Sequence, residues 1–252
     1  MKLKLCLLFI VFVINLSFSQ IVNVESLRRV GDSSKWSGYT SLAIDLTKNR
    51  NHIFNLKNRT HVQYLFEKNL VLFVNDIDFK EVNNEKLVSK GTQHLRYNYK
   101  FKPKFAWEIF IQSQYDEISA IDFRGLIGTG PRLTVYTSKN YLFYTGILSM
   151  YEYEEIENDL EHTFNRDFRN SSYISFSLFP KENIAIVSTT YYQPLYKSFS
   201  DYRISNDTSI ALTIFKNLAF KIHFTYLFDI KPALGVPKEQ YKLSNGLTYT
   251  FN

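Results

Sequence analysis

The sequence is poor in cysteine, methionine, proline and glycine. Its 252 residues include one Cys, two Met, six Pro and nine Gly. The single cysteine, Cys6, lies within the first twenty residues, so a chain that has lost this segment has no disulfide and no thiolate chemistry. Beyond residue 20 no apolar run approaches the ~18 to 20 residues of a membrane-spanning helix. These absences exclude a disulfide scaffold and a helical membrane protein.

The excess of positive over negative charge is also small. Thirty Lys and Arg face 24 Asp and Glu, and the basic residues are scattered along the chain rather than clustered. The pI near 9.1 is therefore weak evidence for a nucleic-acid partner, and we predict none. The sequence also lacks a phosphate-cradling glycine loop and any recognisable metal-ligand spacing, so we predict no cofactor and no metal site.

The first twenty residues, MKLKLCLLFIVFVINLSFSQ, have the pattern of a secretory signal. Lys2 and Lys4 precede an apolar stretch, and Ser17-Phe18-Ser19 supplies the small residues of a cleavage site. We predict a cleaved signal peptide at residues 1–19; the alternative is an N-terminal membrane anchor. Residues 20–35 are predicted to be an N-terminal periplasmic extension, or a plug that enters the following domain.

Aromatic residues are abundant, with 22 Phe and 18 Tyr. In LRYNYKFKPKFAWEIFIQSQY, residues 95 to 115, large apolar side chains alternate with polar ones on both sides of a Lys-Pro-Lys turn. Alternation with a period of two is typical of a β-strand that presents one apolar and one polar face. This pattern continues to the end of the chain.

We predict twelve strands, at 36–47, 51–66, 69–80, 86–101, 104–117, 121–137, 140–154, 166–179, 183–197, 201–215, 217–229 and 239–251. The breaks after the even-numbered strands are tight, whereas several others are longer, notably residues 155–165 and 230–238. Short turns at one edge and longer loops at the other are typical of transmembrane barrels, whose short turns are periplasmic and whose longer loops are extracellular.

Nearly every predicted strand alternates, but the sequence offers no helix to cover the apolar faces. Lipid would cover them, and because backbone groups in lipid must all be paired, the sheet would then have to close. We therefore predict an all-β fold, a closed antiparallel transmembrane β-barrel over residues 36–252, in the outer membrane of a Gram-negative bacterium. Outer-membrane lipid and lipopolysaccharide are its expected partners. The alternative is a secreted soluble barrel or sandwich.

The alternation places charged residues on the face opposite the large apolar ones. We predict that these residues point into the lumen: Arg59, His61, Arg96, Lys100, Glu108, Arg124, Arg132, Glu152, Lys221 and His223. They either line a narrow, anion-favouring path for small ions or solutes, or pair across the lumen and occlude it, since buried charges need partners. We further expect Glu108 to lie between Arg96 and Arg132 as the centre of an ionic cluster.

The stretch EYEEIENDLE, residues 152–161, has six carboxylates in ten positions. Carboxylate oxygens are ligands for a divalent cation such as Ca²⁺, but the Asp and Gly spacing of a calcium loop is absent. We interpret the stretch as a solvated surface loop.

An enzyme is the third class of function. Outer-membrane lipases and lipid-modifying enzymes also use small barrels, and acyl transfer needs a serine beside a histidine. The mature chain has five histidines, none in a recognisable serine–histidine motif: His52, His61, His94, His162 and His223. We predict no enzymatic activity and no catalytic residue.

The C-terminus resembles the signal by which outer-membrane barrels are recognised for assembly. Ser244, Gly246, Tyr249 and Phe251 match a pattern of polar residue, glycine and two aromatics. Asn252 departs from it, because such chains usually stop at the aromatic residue. The resemblance implies the barrel-assembly machinery as a partner.

Five segments together resemble a bacterial family of unknown function described as salt-induced outer-membrane proteins. They are VNVESLR at 22–28, WSGYTSLAIDLTK at 36–48, HLRYNYKFKPKFAWEIFIQSQYDE at 94–117, FRGLIGTGPRL at 123–133 and MYEYEE at 150–155. The resemblance is specific over 94–155 and rests mainly on the strand pattern over 156–252. It implies an outer-membrane location, but it supplies no agreed activity and no catalytic residues. Our leading interpretation of function is a narrow, porin-like pore or an envelope-stress component.

Overall fold

The computed structural model describes residues 36–48, 50–215 and 218–249. The predicted signal peptide, the predicted extension at 20–35 and Phe251 lie outside the described residues. In the part of the chain that the structure describes, no helix is long and apolar enough to cross a membrane.

Twelve strands form one sheet in which each strand pairs antiparallel with the next, in the order β1 to β12. The prediction of twelve antiparallel strands is therefore confirmed. Their bounds are β1 Trp36–Lys48, β2 His52–Phe66, β3 Asn69–Val82, β4 Glu85–Lys102, β5 Phe105–Asp116, β6 Ile121–Thr137, β7 Tyr141–Asn158, β8 Glu161–Lys181, β9 Ile184–Leu195, β10 Ser198–Phe215, β11 Leu218–Asp229 and β12 Glu239–Tyr249.

The two faces of the sheet differ in polarity, as the period-two alternation requires. In β5 the side chains of Trp107, Ile109 and Ile111 are exposed, whereas Glu108 and Phe110 between them are buried. We call the face with the exposed large apolar side chains the outer face and the opposite one the inner face. The buried charged residues of the central strands lie on the inner face.

The sheet is strongly curled, so that distant strands line a common interior. Lys242 of β12 lines the same cavity as Arg59 of β2, Asp78 of β3, Lys90 of β4 and Asp116 of β5. In the sheet order these strands lie at opposite ends. The curl is what gives the inner face an enclosed interior rather than an open surface.

The connection between β7 and β8 is much shorter than predicted. β7 continues to Asn158 and β8 begins at Glu161, so the predicted loop at 155–165 is a two-residue turn. The prediction failed because the acidic side chains at the end of β7 suggested a solvated loop. Glu154 is in fact buried against arginines, and the strand ladder continues past it.

The β3–β4 turn is also two residues long. Asn83 and Asn84 both have positive φ angles, 52° and 67°. A type I′ hairpin turn requires this conformation at both central residues, and Asn adopts it readily. The Asn83 side chain accepts a hydrogen bond from the backbone N–H of His52 at 2.8 Å, which ties this turn to the start of β2.

Residues 230–238 form the long connection between β11 and β12. The Asn158 amide donates a hydrogen bond to the carbonyl of Leu234 at 3.0 Å, so the loop reaches the β7–β8 turn. It borders a cavity of about 340 Å³ that opens at this edge of the sheet. The long loop at this position agrees with the sequence prediction.

Candidate functional site

Glu108 is the centre of an ionic cluster on the inner face. Its carboxylate lies 3.6 Å from the Arg96 guanidinium and 3.5 Å from that of Arg132, as the sequence analysis expected. The hydroxyl of Tyr173, on β8, donates a hydrogen bond to Glu108 at 2.8 Å. Arg132 also stacks over the ring of Tyr144 at 4.0 Å, a geometry that stabilises the cation. We call this set the Glu108 cluster.

A second ionic cluster surrounds Glu152, further along the strands. Arg124 and Arg203 each donate a hydrogen bond to its carboxylate at 2.8 Å, and Arg169 lies 3.5 Å away. Three guanidiniums around one carboxylate leave an excess of positive charge that needs further acidic partners.

Three more carboxylates supply that charge. Arg203 donates to Glu154 at 3.0 Å and to Asp229 at 2.6 Å, while Arg169 donates to Asp201 at 3.3 Å. Arg203 therefore joins carboxylates of β7 and β11 from its position on β10. Its planar guanidinium, with donors on three nitrogens, is suited to such a junction. We call these residues, with Arg124 and Glu152, the Glu152 cluster.

An apolar layer separates the two clusters. Glu108 precedes Phe110 along β5, and Met150 precedes Glu152 along β7, so the layer lies between the two carboxylates. Its buried members are Phe110, Leu126, Leu148, Met150, Tyr173 and Tyr191. A cavity of only about 30 Å³ remains beside them. The inner face is thus filled by side chains at the Glu108 cluster and the apolar layer, whereas the cavity of about 340 Å³ borders the Glu152 cluster.

The remaining part of the interior carries basic side chains that are less buried than the two clusters. Arg59 and Lys57 are exposed, and Arg59, Lys90 and Lys242 line a cavity of about 30 Å³. Asp78 lines the same cavity and lies 3.7 Å from Lys57. We call Lys57, Arg59, Lys90 and Lys242 the basic side of the interior.

Histidines of the interior are paired with acidic or amide groups. His61 hydrogen-bonds Asp76 at 2.8 Å, and His223 hydrogen-bonds Asp207 at 2.8 Å. His94 is buried and contacts the Gln112 amide oxygen at 2.8 Å. These contacts hold the rings against the sheet and do not form a recognisable catalytic arrangement.

The structure distributes the ten predicted lumen residues over three environments. Six are buried on the inner face: His61, Arg96, Glu108, Arg124, Arg132 and Glu152. His223 is half-buried, and Arg59 is exposed but borders the basic-side cavity. Lys100 and Lys221 are exposed near strand ends, so neither joins the buried clusters.

Six residues of the two ionic clusters were not among the site residues predicted from the sequence. They are Glu154, Arg169, Tyr173, Asp201, Arg203 and Asp229. The interpretation of residues 152–161 as a solvated surface loop is wrong for Glu152 and Glu154, which are buried between arginines. Following the alternation through β8 and β10 would have placed Arg169 and Arg203 on the inner face. Nothing local in the sequence indicates that they converge on β7.

The predicted assembly signal is described in part. Ser244 and Gly246 lie in β12, and the backbone of Tyr249 ends that strand. The backbone of Gly246 pairs with Lys221 of β11. A role in assembly stays a prediction.

The chain is similar to several solved structures of outer-membrane proteins. No curated protein matches the chain. A NanC porin structure in a rhombohedral crystal form has a TM-score of 0.48 at 12% identity, covering 86% of this chain and 98% of that one. A bacterial polysaccharide outer membrane secretin gives 0.45 at 6% identity, covering 86% and 91%. A KdgM porin gives 0.39 at 12% identity, covering 85% and 100%.

A family assignment covers most of the described strands. The matching family carries no functional name, and the match extends over residues 40–251, from β1 through the end of β12. The chain belongs to the family described as protein of unknown function, DUF481.

Proposed function

We propose that the chain is an integral β-barrel of the bacterial outer membrane that closes by pairing β12 with β1 and provides a narrow passage for small anions. The observation that carries this proposal is the inverted polarity of the sheet. Glu108 is 0% exposed and Arg132 is 2% exposed, whereas Ile147 is 59% exposed. A protein folded in water does the reverse, because burying charge is costly and exposing large apolar groups is unfavourable.

The height of the apolar band on the outer face is consistent with a protein that spans a lipid bilayer. Phe123 and Tyr136, at opposite ends of β6, are both exposed aromatic residues. A register irregularity between Thr134 and Tyr136 allows both to lie on the outer face despite their odd separation. At ~3.3 Å per residue and a tilt of about 40°, they stand roughly 33 Å apart along the barrel axis. Aromatic girdles at the two interfaces of an apolar band about 25 Å tall are typical of membrane barrels.

The interior supports a narrow rather than a wide passage. On the side from β4 to β10, the cavity of about 340 Å³ beside the Glu152 cluster ends at the apolar layer and the Glu108 cluster, which fill the interior there. A continuous passage would therefore follow the basic side, where Lys57 and Arg59 are exposed. The four basic residues of this side exceed the three carboxylates that line its cavity, Asp76, Asp78 and Asp116, by one charge. This excess favours anions by raising their local concentration. The cavity on this side has a volume of only about 30 Å³, which suits small ions better than large solutes.

Single-channel recording in a planar lipid bilayer tests this function. We expect small, reproducible conductance steps with preference for chloride over potassium. Replacing Arg59 and Lys242 together by Gln should reduce that preference, whereas the same change at Lys100 and Lys104, in the strand-end and turn region, should alter it less. A folded, inserted protein without conductance would contradict the passage.

An occluded barrel with a structural or interaction role is the second candidate. It is favoured by the direct contact between Tyr173 and Glu108, which bridges β8 and β5 across the interior. The resemblance to salt-induced outer-membrane proteins extends this candidate to an envelope-stress role. A deletion strain that grows poorly only at high salt, together with a silent barrel in the bilayer experiment, would favour it. Enzymatic activity is not part of either proposal.

A further inference from the structure

A row of polar side chains crosses the outer face of β1 to β5, and four of its five members have a large apolar neighbour on the same face of their strand. The five members lie directly opposite one another in the register of successive strand pairs. They are Thr40, Thr60, Asn75, Gln93 and Ser113. We call them the outer polar row. Leu42, Phe73, Leu95 and Ile111, two residues from four of them, are all exposed large apolar groups of the same face.

Hydrogen bonds connect the row from one strand to the next. The Ser113 hydroxyl donates to the Gln93 amide oxygen at 3.0 Å, and the Gln93 amide donates to Asn75 at 3.2 Å. The Asn75 amide donates in turn to Asn58 of β2 at 2.7 Å. The acceptor oxygens of Gln93 and Asn75 are thus used within the sheet.

These bonds do not use every hydrogen-bond donor of the outer polar row. A side-chain amide carries two N–H donors, and among the described residues Asn75 and Gln93 each use one. In the aqueous phase water would accept the second. On the outer face of a membrane barrel lipid tails would surround it, and an unmatched polar group there is costly.

A second outer-face polar patch behaves differently. In β9 and β10 the Asn206 amide donates to the hydroxyls of Ser188 and Thr190 and to the carbonyl of Thr189, at 3.2, 2.8 and 3.4 Å. Both of its N–H donors therefore have acceptors within the chain. The amide donors of this patch are therefore all used within the sheet, whereas the outer polar row has N–H donors that could bond a partner molecule.

We propose that the outer polar row is the surface through which two copies of this chain pair side by side in the membrane. The proposal rests on the membrane barrel proposed above. A second copy fits because amides and hydroxyls both donate and accept, so two identical rows related by a two-fold axis are complementary. Ser and Thr side chains are small and permit close approach, and polar groups strengthen association inside a bilayer.

Energy transfer between labelled copies in lipid vesicles tests the pairing. Ala233→Cys, in the long β11–β12 loop, supplies one label site in a mature chain that has no other cysteine. We expect transfer between donor- and acceptor-labelled copies that falls as lipid is added. Asn75→Leu and Gln93→Leu should each raise the dissociation constant by roughly tenfold, since each change affects both copies of a symmetric pair. Asn206→Leu is the matched control and should leave it unchanged.

Two results would overturn the pairing. The first is energy transfer between unmutated copies that does not exceed the level expected for random proximity. The second is an equal dissociation constant for Asn75→Leu, Gln93→Leu and Asn206→Leu. Heat-modifiable gel migration and flotation with vesicles establish that each variant is folded and inserted. Gln93→Met, close in shape to the parent residue, replaces Gln93→Leu if the latter does not insert. A parent that never inserts would contradict the membrane barrel itself, which separates the two failures.

Discussion

Glu108 has no exposed surface, and its carboxyl group lies between two guanidiniums. Its distances to Arg96 and Arg132, 3.6 and 3.5 Å, are those of ion pairs, and Tyr173 supplies the shorter hydrogen bond at 2.8 Å. Removing one member of such a buried set leaves the others without compensation, which costs more than the intact set contributes. The stability of the β4–β6 region therefore depends on this carboxylate.

Glu108→Gln keeps the shape of the side chain and removes its charge. We expect it to destabilise the folded protein by about 3 kcal/mol, because two buried guanidiniums lose their counter-ion. Thermal denaturation in detergent micelles measures the change. Glu157→Gln, the same substitution at an exposed position of β7, should shift the transition little. Equal effects would mean that Glu108 is solvated in a wide lumen.

The sequence predicts part of this chemistry at the residue scale. Arg96, Glu108 and Arg132 lie on three consecutive strands with unbroken alternation, so a shared face and close proximity follow from the pattern. Tyr173 and Arg203 reach their partners across the interior, at separations of 65 and 51 residues from Glu108 and Glu152. Alternation defines the face of a residue but not its neighbour across a curled sheet.

At the scale of elements, glycines shape the inner face of β6 and β7. Gly146 is directly opposite Tyr173 in the register, and Gly128 is directly opposite Phe110. A β-carbon at Gly146 would collide with the Tyr173 ring, and one at Gly128 with the Phe110 ring. The absence of a side chain lets each ring lie flat over the neighbouring strand. These two glycines therefore position the aromatic part of the apolar layer.

Gly146→Ala should displace the Tyr173 ring and break its hydrogen bond to Glu108. We expect a loss of roughly 1–3 kcal/mol, the range for an overpacked core and for a buried acceptor that loses its donor. Chemical denaturation of the micellar protein measures it. Gly125→Ala is the control, because its β-carbon meets only the ring of Phe123, at 3.2 Å, on the outer face. A loss as large at Gly125 would show that the effect is not specific to Tyr173.

β11 offers a direct comparison of the two faces in adjacent residues. Phe224 lies on the outer face, whereas Thr225 is buried on the inner face with Asp207 and Lys242 as its register neighbours. Phe224→Arg should reduce the inserted fraction in vesicles, because Arg near the bilayer midplane costs about 2–4 kcal/mol. Thr225→Arg should be tolerated better, since residue 225 faces the polar interior rather than lipid. Equal insertion of the two variants would contradict the assigned faces.

Element prediction succeeded where composition and alternation agreed and failed where they conflicted. β4 and β5 alternate large apolar and polar groups, and a Lys-Pro-Lys turn separates them. The stretch from Glu152 to Glu161 alternates too, with Tyr153 and Ile156 among its members, but its density of carboxylates suggested solvent. The buried arginines that balance Glu152 and Glu154 come from β6, β8 and β10, which local composition does not reveal.

At the scale of the whole molecule, the interior combines a packed side and a basic side. The packed side from β4 to β10 provides the buried ion pairs and aromatic contacts that hold the curled sheet in shape. The basic side, whose four basic residues lie on β2, β4 and β12, has exposed charge at Lys57 and Arg59. The number of strands and the polarity of each face could be predicted from the sequence. The division of the interior depends on the curl of the sheet, which no single strand encodes.

The most direct test of a membrane barrel asks what surrounds two adjacent residues of β12. Leu243 is 63% exposed on the outer face, and Lys242 lines the interior cavity. Single cysteines at these positions, in a chain expressed from residue 20 so that Cys6 is absent, can each carry an environment-sensitive fluorophore. In vesicles containing brominated acyl chains, the label at Leu243→Cys should be strongly quenched by lipid and little by aqueous iodide. The label at Lys242→Cys should show the opposite preference, and equal quenching of both by iodide alone would contradict the account.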